Sequence, residues 1–264
     1  MTDRHDEVPL PAPAEGGTWV IDLDGVVWLA GEPLDGVGEA VGRLRRAGAG
    51  VLFASNNSSP TIGELRQRLQ RAGIDAGNEE IVTSGQAAAS MIEPGQRALV
   101  VGDGGLLEAL AARGVHVVSS GPADVVVVGW THGFDFELLT LAERTVRAGA
   151  RLIGTNEDPT HPTPEGLLPG AGSLLAAVST AAGHEPEVAG KPHPPLSRLI
   201  AARAPHVAVV VGDRPSTDGA LARHLRAPFA LVLSGVTAAG DLPVDPEPDV
   251  VGDDLRAIVD VALR

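Results

Sequence analysis

Two aspartates, Asp22 and Asp24, directly follow a short apolar segment at residues 18–21, and Gly25 comes next. If the segment is a strand, residues two apart in the extended chain project to the same side, so both carboxylates can leave the strand end toward one cleft. Gly25 permits a tight turn and lets a ligand approach the backbone closely. The pattern predicts a carboxylate pair at a strand end.

Two further aspartates, Asp213 and Asp218, follow another apolar segment at residues 207–211. In open parallel sheets, ligands bind at the carboxyl ends of the strands, so we expect all four carboxylates at one edge. They would repel one another unless a cation were bound, and oxygen-only ligands suit Mg²⁺, which also accepts substrate phosphate. Asp218 also precedes a helical pattern, where an aspartate is a common cap.

Ser55 ends a third apolar segment, and the run that begins with Asn56 and Asn57 leads into a helical pattern. Backbone N–H groups in such a turn can bind an anion such as phosphate. A Ser/Asn-rich stretch is often only a loop and helix cap, so this feature alone does not distinguish a phosphate site from a plain turn.

Lys191 is the only lysine in the chain, and the other 19 of the 20 Lys+Arg residues are arginine. Lysine is a compact point charge, whereas arginine is a planar fork. Either this position requires a point charge or one lysine has survived on a surface loop, and composition leaves both possibilities open. Beside Ser55, Lys191 could hold phosphoryl oxygens and screen the acidic pair.

The alternation of apolar runs and helical patterns predicts an α/β fold with a mainly parallel sheet. The predicted strands are 18–21, 51–54, 98–101, 125–128, 152–153, 207–211 and 230–233. The distance from Ser55 to Lys191 is 136 residues, too long for one crossover unit of about 30 residues. We therefore predict a Rossmann-like core at 18–85 and 185–264, an inserted α/β cap at 86–184, and a disordered arm at 1–17.

The net charge of −14 argues against a nucleic-acid or anionic-membrane partner. No cysteine is present, so disulfides and thiolate chemistry are excluded. No apolar run approaches the ~20 residues that span a bilayer, and the polar start of the chain does not resemble a signal peptide. We expect a cytoplasmic enzyme.

Four motifs in order resemble those of the haloacid dehalogenase superfamily of phosphatases, most closely its class IIA, the NagD-like group. They are Asp22-Leu23-Asp24-Gly25, Ser55-Asn56-Asn57, Gly190-Lys191-Pro192 and Gly212-Asp213-Arg214-Pro215-Ser216-Thr217-Asp218. That group places a large α/β cap between the second and third motifs, where the insertion lies. Four motifs with the expected order and spacing are far more specific than any one of them.

The resemblance implies hydrolysis of a phosphomonoester through an aspartyl-phosphate intermediate. Asp22 would be the nucleophile, and Asp24 would protonate the leaving alcohol and then activate water. Phosphate would bind to Ser55, Asn56 and Lys191. The Mg²⁺ ligands would be the Asp22 carboxylate, the Asp24 backbone carbonyl and Asp213, with Asp218 orienting metal-bound water.

Within the cap, the resemblance implies that Asn156 and Asp158 contact the substrate, although Asn-Glu-Asp-Pro also forms turns without a ligand. Many relatives have Asp-Arg where this chain has Trp130-Thr131-His132, so the role of this segment stays open, as does that of His193. The expected partner is a small phosphorylated metabolite, such as a sugar phosphate, glycerol phosphate, phosphoglycolate or nucleoside monophosphate, and a homodimer could form through the cap. The alternatives are a phosphotransferase or mutase of the same superfamily and a catalytically silent ligand-binding protein.

Overall fold

The computed structural model describes residues 16–163 and 166–264, without the side chains of residues 162 and 163. The predicted α/β fold with parallel sheets is confirmed. Of the predicted disordered arm, residues 1–15 lie outside the described residues. No helix in the described ranges has the length and apolar character needed to cross a membrane.

Strands and helices alternate along the described chain. The strands are β1 Thr18–Ile21, β2 Trp28–Leu29, β3 Glu32–Pro33, β4 Gly50–Ser55, β5 Ile81–Thr83, β6 Arg97–Val101, β7 His116–Val118, β8 Val125–Val128, β9 Arg151–Gly154, β10 Thr160–Thr163, β11 Gly166–Pro169, β12 Glu187–Val188, β13 Val207–Gly212, β14 Phe229–Val232 and β15 Val250–Gly252. The helices are α1 Val37–Arg46, α2 Ile62–Arg71, α3 Ser84–Ser90, α4 Gly104–Ala112, α5 Phe136–Arg147, α6 Ala171–Ala182, α7 Pro194–Arg203, α8 Ala220–Leu225 and α9 Leu255–Ala262.

Contacts within the chain divide it into two compact units. The first consists of the described residues up to Ala54, Arg66–Ile81 and Ile200–Arg264, and the second of Ser55–Leu65 and Val82–Leu199. The predicted cap at 86–184 lies within the second unit, and its exact limits stay a prediction.

The first unit is built on a sheet with the strand order β15-β14-β13-β1-β4-β5. The pairs from β15 through to β4 are parallel, and Ile21 at the end of β1 is level with Val211 of β13 and Phe53 of β4. From β1 the chain proceeds to β4 and β5 on one side and later returns to β13 on the other. This reversal makes the carboxyl ends of β1 and β13 a topological switch point, where open α/β sheets bind ligands.

The second unit has its own parallel sheet, with the order β12-β9-β8-β6-β7. Val125–Val128 of β8 are all buried, as expected for a central strand covered on both faces. Apolar side chains of β6, β8 and β9 pack against those of α5 and α6 in one core. The antiparallel hairpin β10–β11 follows β9.

Candidate functional site

Three carboxylates of the first unit converge at its switch point. Asp22 follows β1, Asp213 follows β13, and Asp218 lies in a π-helical turn at Pro215–Gly219. One ligand atom from each lies within 4.8 Å of the others, and the three residues are only 8%, 3% and 1% exposed. Buried like charges at this separation repel strongly unless a cation balances them. An oxygen-only donor set of this kind fits Mg²⁺ or Ca²⁺.

Local backbone contacts hold the Asp213 carboxylate in place. Its Oδ2 accepts a hydrogen bond from Val236 N at 2.6 Å. A Cβ added to either Gly25 or Gly235 would collide with the same oxygen, and Gly25 also has a φ of +88°. Both glycines are therefore required by the close approach of the chain to the carboxylate.

Asp218 was predicted to serve the site and was also considered as a cap of the helix that follows. Its Oδ2 accepts a hydrogen bond from Arg214 N at 3.2 Å. Helix α8 begins after Gly219, which is its N-cap residue, so Asp218 lies inside the preceding turn. The turn directs its carboxylate to the group that contains Asp22.

Asp24 is partly exposed, and its Oδ1 accepts a hydrogen bond from Trp28 Nε1 at 2.9 Å. Trp28 had no assigned role from the sequence. The sequence signal that could have identified Trp28 is its position four residues after Asp24, a candidate acid–base group.

In the second unit, the side-chain amide of Asn56 forms hydrogen bonds with the backbone of Lys191. Asn56 Oδ1 accepts from Lys191 N at 2.7 Å, and Asn56 Nδ2 donates to Lys191 O at 3.2 Å. One amide side chain therefore holds both polar backbone atoms of Lys191, which is 3% exposed. Because the Asn56 side chain is used in this way, any hydrogen bond from Asn56 to phosphate would come from its backbone N–H.

Ser55, directly before Asn56, closes a turn at the end of β4. Its Oγ accepts from Asn57 N at 3.0 Å, and Asn57 Oδ1 accepts from Ser59 N at 3.0 Å. The side chains thus fix the turn, which leads toward α2.

The loop after β9 is tied to the same asparagine. Asn156 Nδ2 donates to Asn56 O at 2.7 Å, and Asn56 Nδ2 donates to Asp158 Oδ2 at 3.1 Å. Asn156 Oδ1 accepts from Asp158 N at 3.0 Å. Ser84, which the sequence did not single out, donates from Oγ to Asn56 O at 2.5 Å. Asn156 and Asp158 thus help to build the Lys191 site, and their contact with substrate stays a prediction.

The residues left without a role have identifiable contacts in the second unit. His193 Nε2 lies 2.7 Å from Glu157 Oε2. The Trp130 ring lies 4.5 Å from that of His132 and 4.9 Å from that of His161, measured between centroids, and Trp130 Nε1 donates to Pro169 O. Trp130 therefore packs within the second unit, against the hairpin β10–β11.

Comparison with known proteins matches the chain to the family Haloacid dehalogenase-like hydrolase over residues 19–116 and to the HAD-hydrolase-like family over residues 188–258. It is 39% identical over 250 residues to the D-glycerol 3-phosphate phosphatase of Mycobacterium tuberculosis, a match that covers 90% of this chain and 70% of that protein. The chain belongs to the haloacid dehalogenase-like hydrolases. The dihydroxyacetone phosphatase of Corynebacterium glutamicum is 36% identical, over 83% of this hydrolase and 82% of that protein.

Solved structures agree with this assignment. The glycerol phosphate phosphatase from Mycobacterium tuberculosis in complex with magnesium superposes on this hydrolase with a TM-score of 0.86 at 37% identity, covering 94% of this chain and 78% of that one. The p-nitrophenyl phosphatase from Archaeoglobus fulgidus superposes with a TM-score of 0.86 at 32% identity, and the match covers 93% of this chain and 98% of that one. The predicted membership of the haloacid dehalogenase phosphatases is confirmed.

Proposed function

We propose that this hydrolase is a Mg²⁺-dependent phosphatase of small phosphomonoesters, with three-carbon phosphates such as glycerol 3-phosphate as the leading candidates. The observation that carries the proposal is the buried group of Asp22, Asp213 and Asp218 at the switch point. The relatives named glycerol 3-phosphate and dihydroxyacetone phosphatase support the substrate class.

The metal would be held by the Asp22 and Asp213 carboxylates and the Asp24 backbone carbonyl, with Asp218 orienting metal-bound water. When bound, Mg²⁺ supplies positive charge to the phosphoryl oxygens and to the carboxylate group. The chain carries a net charge of −14, so an anionic substrate requires such a local cation.

Asp22 is the proposed nucleophile. Its carboxylate oxygen forms a bond to phosphorus while the bond from phosphorus to the alcohol oxygen breaks, which leaves an aspartyl phosphate. Asp24 donates a proton to the departing alcohol in this step. It then takes a proton from the water that releases inorganic phosphate and regenerates the Asp22 carboxylate.

Ser55 and Lys191 are proposed to hold the phosphoryl group, Ser55 through its hydroxyl and Lys191 through its ammonium. The transferring group spreads charge over three oxygens in the transition state, so placed donors lower the barrier. The hydrogen bonds between the Asn56 side chain and the Lys191 backbone limit the positions that the ammonium can reach.

The direct test is phosphate release from glycerol 3-phosphate, dihydroxyacetone phosphate and p-nitrophenyl phosphate, with Mg²⁺ and with EDTA. We expect release with Mg²⁺ and its loss with EDTA. No release from any of the three at high enzyme concentration would overturn the proposal.

Gly235→Ala is expected to weaken Mg²⁺ binding about tenfold or more, because the new methyl group would displace the Asp213 carboxylate. Isothermal titration calorimetry with Mg²⁺ measures this directly. Gly240→Ala is the matched control, since a Cβ there meets nothing within 4 Å among the described residues. Equal Mg²⁺ affinity in the two variants would show that Asp213 is not a ligand.

Asn56→Ala is expected to weaken the binding of inorganic phosphate about tenfold, because the Lys191 backbone loses both of its hydrogen bonds to the Asn56 side chain. Product inhibition by phosphate reports this affinity. Asn78→Ala, at an exposed position, controls for loss of an asparagine. Unchanged phosphate inhibition in Asn56→Ala would show that the Asn56–Lys191 contact is not needed for phosphate binding.

A further inference from the structure

We propose that Trp28 is a positioning residue for the acid–base carboxyl of Asp24, and that it dictates which carboxyl oxygen exchanges the proton. The proposal rests on the assignment of Asp24 as acid and base under the proposed function. Trp28 lies outside the motif Asp22-Leu23-Asp24-Gly25, so its hydrogen bond to Asp24 is not implied by that motif.

The contact is built into a short turn of the first unit. Trp28 is 2% exposed, and its Nε1 lies 2.9 Å from Asp24 Oδ1. The backbone of the turn is closed by Trp28 N donating to Leu23 O at 3.2 Å and by Gly25 N donating to Trp28 O at 2.7 Å. The indole is therefore fixed relative to the carboxyl by the same residues that connect them.

An indole N–H can donate a hydrogen bond but cannot accept one. Oδ1 therefore acts as an acceptor whether the Asp24 carboxyl is ionised or neutral, and the exchangeable proton belongs on Oδ2. Within residues 16–163 and 166–264, Trp28 is the one hydrogen-bond donor to this carboxylate. Removal of the indole N–H frees the carboxyl to rotate and makes its two oxygens equivalent.

Each proton transfer then has a defined atom. In the first step, the Oδ2–H bond breaks and the alcohol oxygen gains the proton as its bond to phosphorus breaks and the Asp22–phosphorus bond forms. In the second step, a water O–H bond breaks, Oδ2 gains the proton, and the water oxygen bonds to phosphorus as the Asp22–phosphorus bond breaks. Trp28 takes no proton in either step.

The chain contains its own control for this substitution. Trp19, in β1, is fully buried, and its Nε1 has no hydrogen-bond partner in the described part of the chain. Trp19→Phe and Trp28→Phe therefore make the same chemical change, but only the second removes a hydrogen bond to Asp24.

The experiment compares kcat/KM for two leaving groups, because this constant reports the steps up to departure of the alcohol. Glycerol, the leaving group of glycerol 3-phosphate, departs as a strongly basic alkoxide unless its oxygen is protonated, whereas p-nitrophenyl phosphate releases a stable phenolate. We expect Trp28→Phe to lower kcat/KM for glycerol 3-phosphate about 10- to 100-fold and to change that for p-nitrophenyl phosphate much less. Trp19→Phe should leave the ratio of the two constants as in the parent.

The outcomes separate this inference from the proposed function. If Asp24→Asn hydrolyses glycerol 3-phosphate as well as the parent, the acid–base assignment itself fails. If Asp24→Asn is inactive but Trp28→Phe keeps the parent ratio of the two kcat/KM values, the positioning role is overturned. The same holds if Trp28→Phe lowers both constants by the same factor, because the ratio is then unchanged. Should Trp28→Phe not fold, benzothienylalanine at position 28 keeps the ring shape without the N–H and is tested against the same expectation.

Discussion

Asp22→Asn should reduce glycerol 3-phosphate hydrolysis by about 10⁴-fold or more while the protein remains folded. An amide oxygen is a poor nucleophile toward phosphorus, and no intermediate can form without the carboxylate. The substitution preserves the size of a side chain that is 8% exposed, so packing is retained. Phosphate release measures the activity, and circular dichroism measures the fold.

Asp253→Asn is the matched control, because Asp253 is an exposed aspartate in the same unit. Its activity should equal that of the parent. Rapid acid quench of a reaction with phosphoryl-labelled substrate gives a second readout. The parent should retain the label as an acid-stable phosphoenzyme, and Asp22→Asn should not. Labelled Asp22→Asn would contradict the nucleophile assignment even if its turnover were low.

Lys191→Arg should lose activity about 100-fold or more, although the formal charge is unchanged. Lys191 is 3% exposed, and its backbone is held at both polar atoms by Asn56. The backbone cannot retreat to accommodate a planar guanidinium, which is bulkier than an ammonium and directs its donors differently. Steady-state kinetics with glycerol 3-phosphate measure the loss.

The reverse exchange on the surface is the control for this variant. Arg71→Lys changes an exposed position in the first unit and should leave kcat/KM unaltered. A Lys191→Arg variant as active as the parent would disprove the need for a point charge at position 191. The phosphatase proposal would survive that result, because it rests on the carboxylate group.

The location of Asp22 and Asp213 at one edge of the sheet could be predicted because it depends on two general rules. Buried parallel strands are recognisable as apolar runs, and their carboxyl ends lie at one edge, so residues 18–21 and 207–211 place both aspartates there once they are assigned as strands. Four carboxylates were expected to converge, whereas the group found among the described residues consists of Asp22, Asp213 and Asp218, without Asp24. Both strands are present, as β1 and β13. The strand predicted at 230–233 is Phe229–Val232, a shift at the end of a strand where periodicity carries little information.

Features that depend on a single contact or on very short elements could not be predicted. Strand β12 has only two residues, and the hairpin β2–β3 two on each side, which is too few to show a period of two. The amide of Asn56 meets Lys191 across 135 residues of sequence, and nothing local to either residue signals that pairing. The Trp28–Asp24 bond requires the exact turn geometry in addition to the spacing.

The hydrogen bonds between Asn56 and Lys191 also bear on how the chain between these two residues can vary in evolution. They join two residues that are 135 positions apart in sequence. The chain between them is folded and has a sheet of its own. Its surface segments could therefore be lengthened, shortened or exchanged while Lys191, the proposed phosphate ligand, keeps its place beside Asn56.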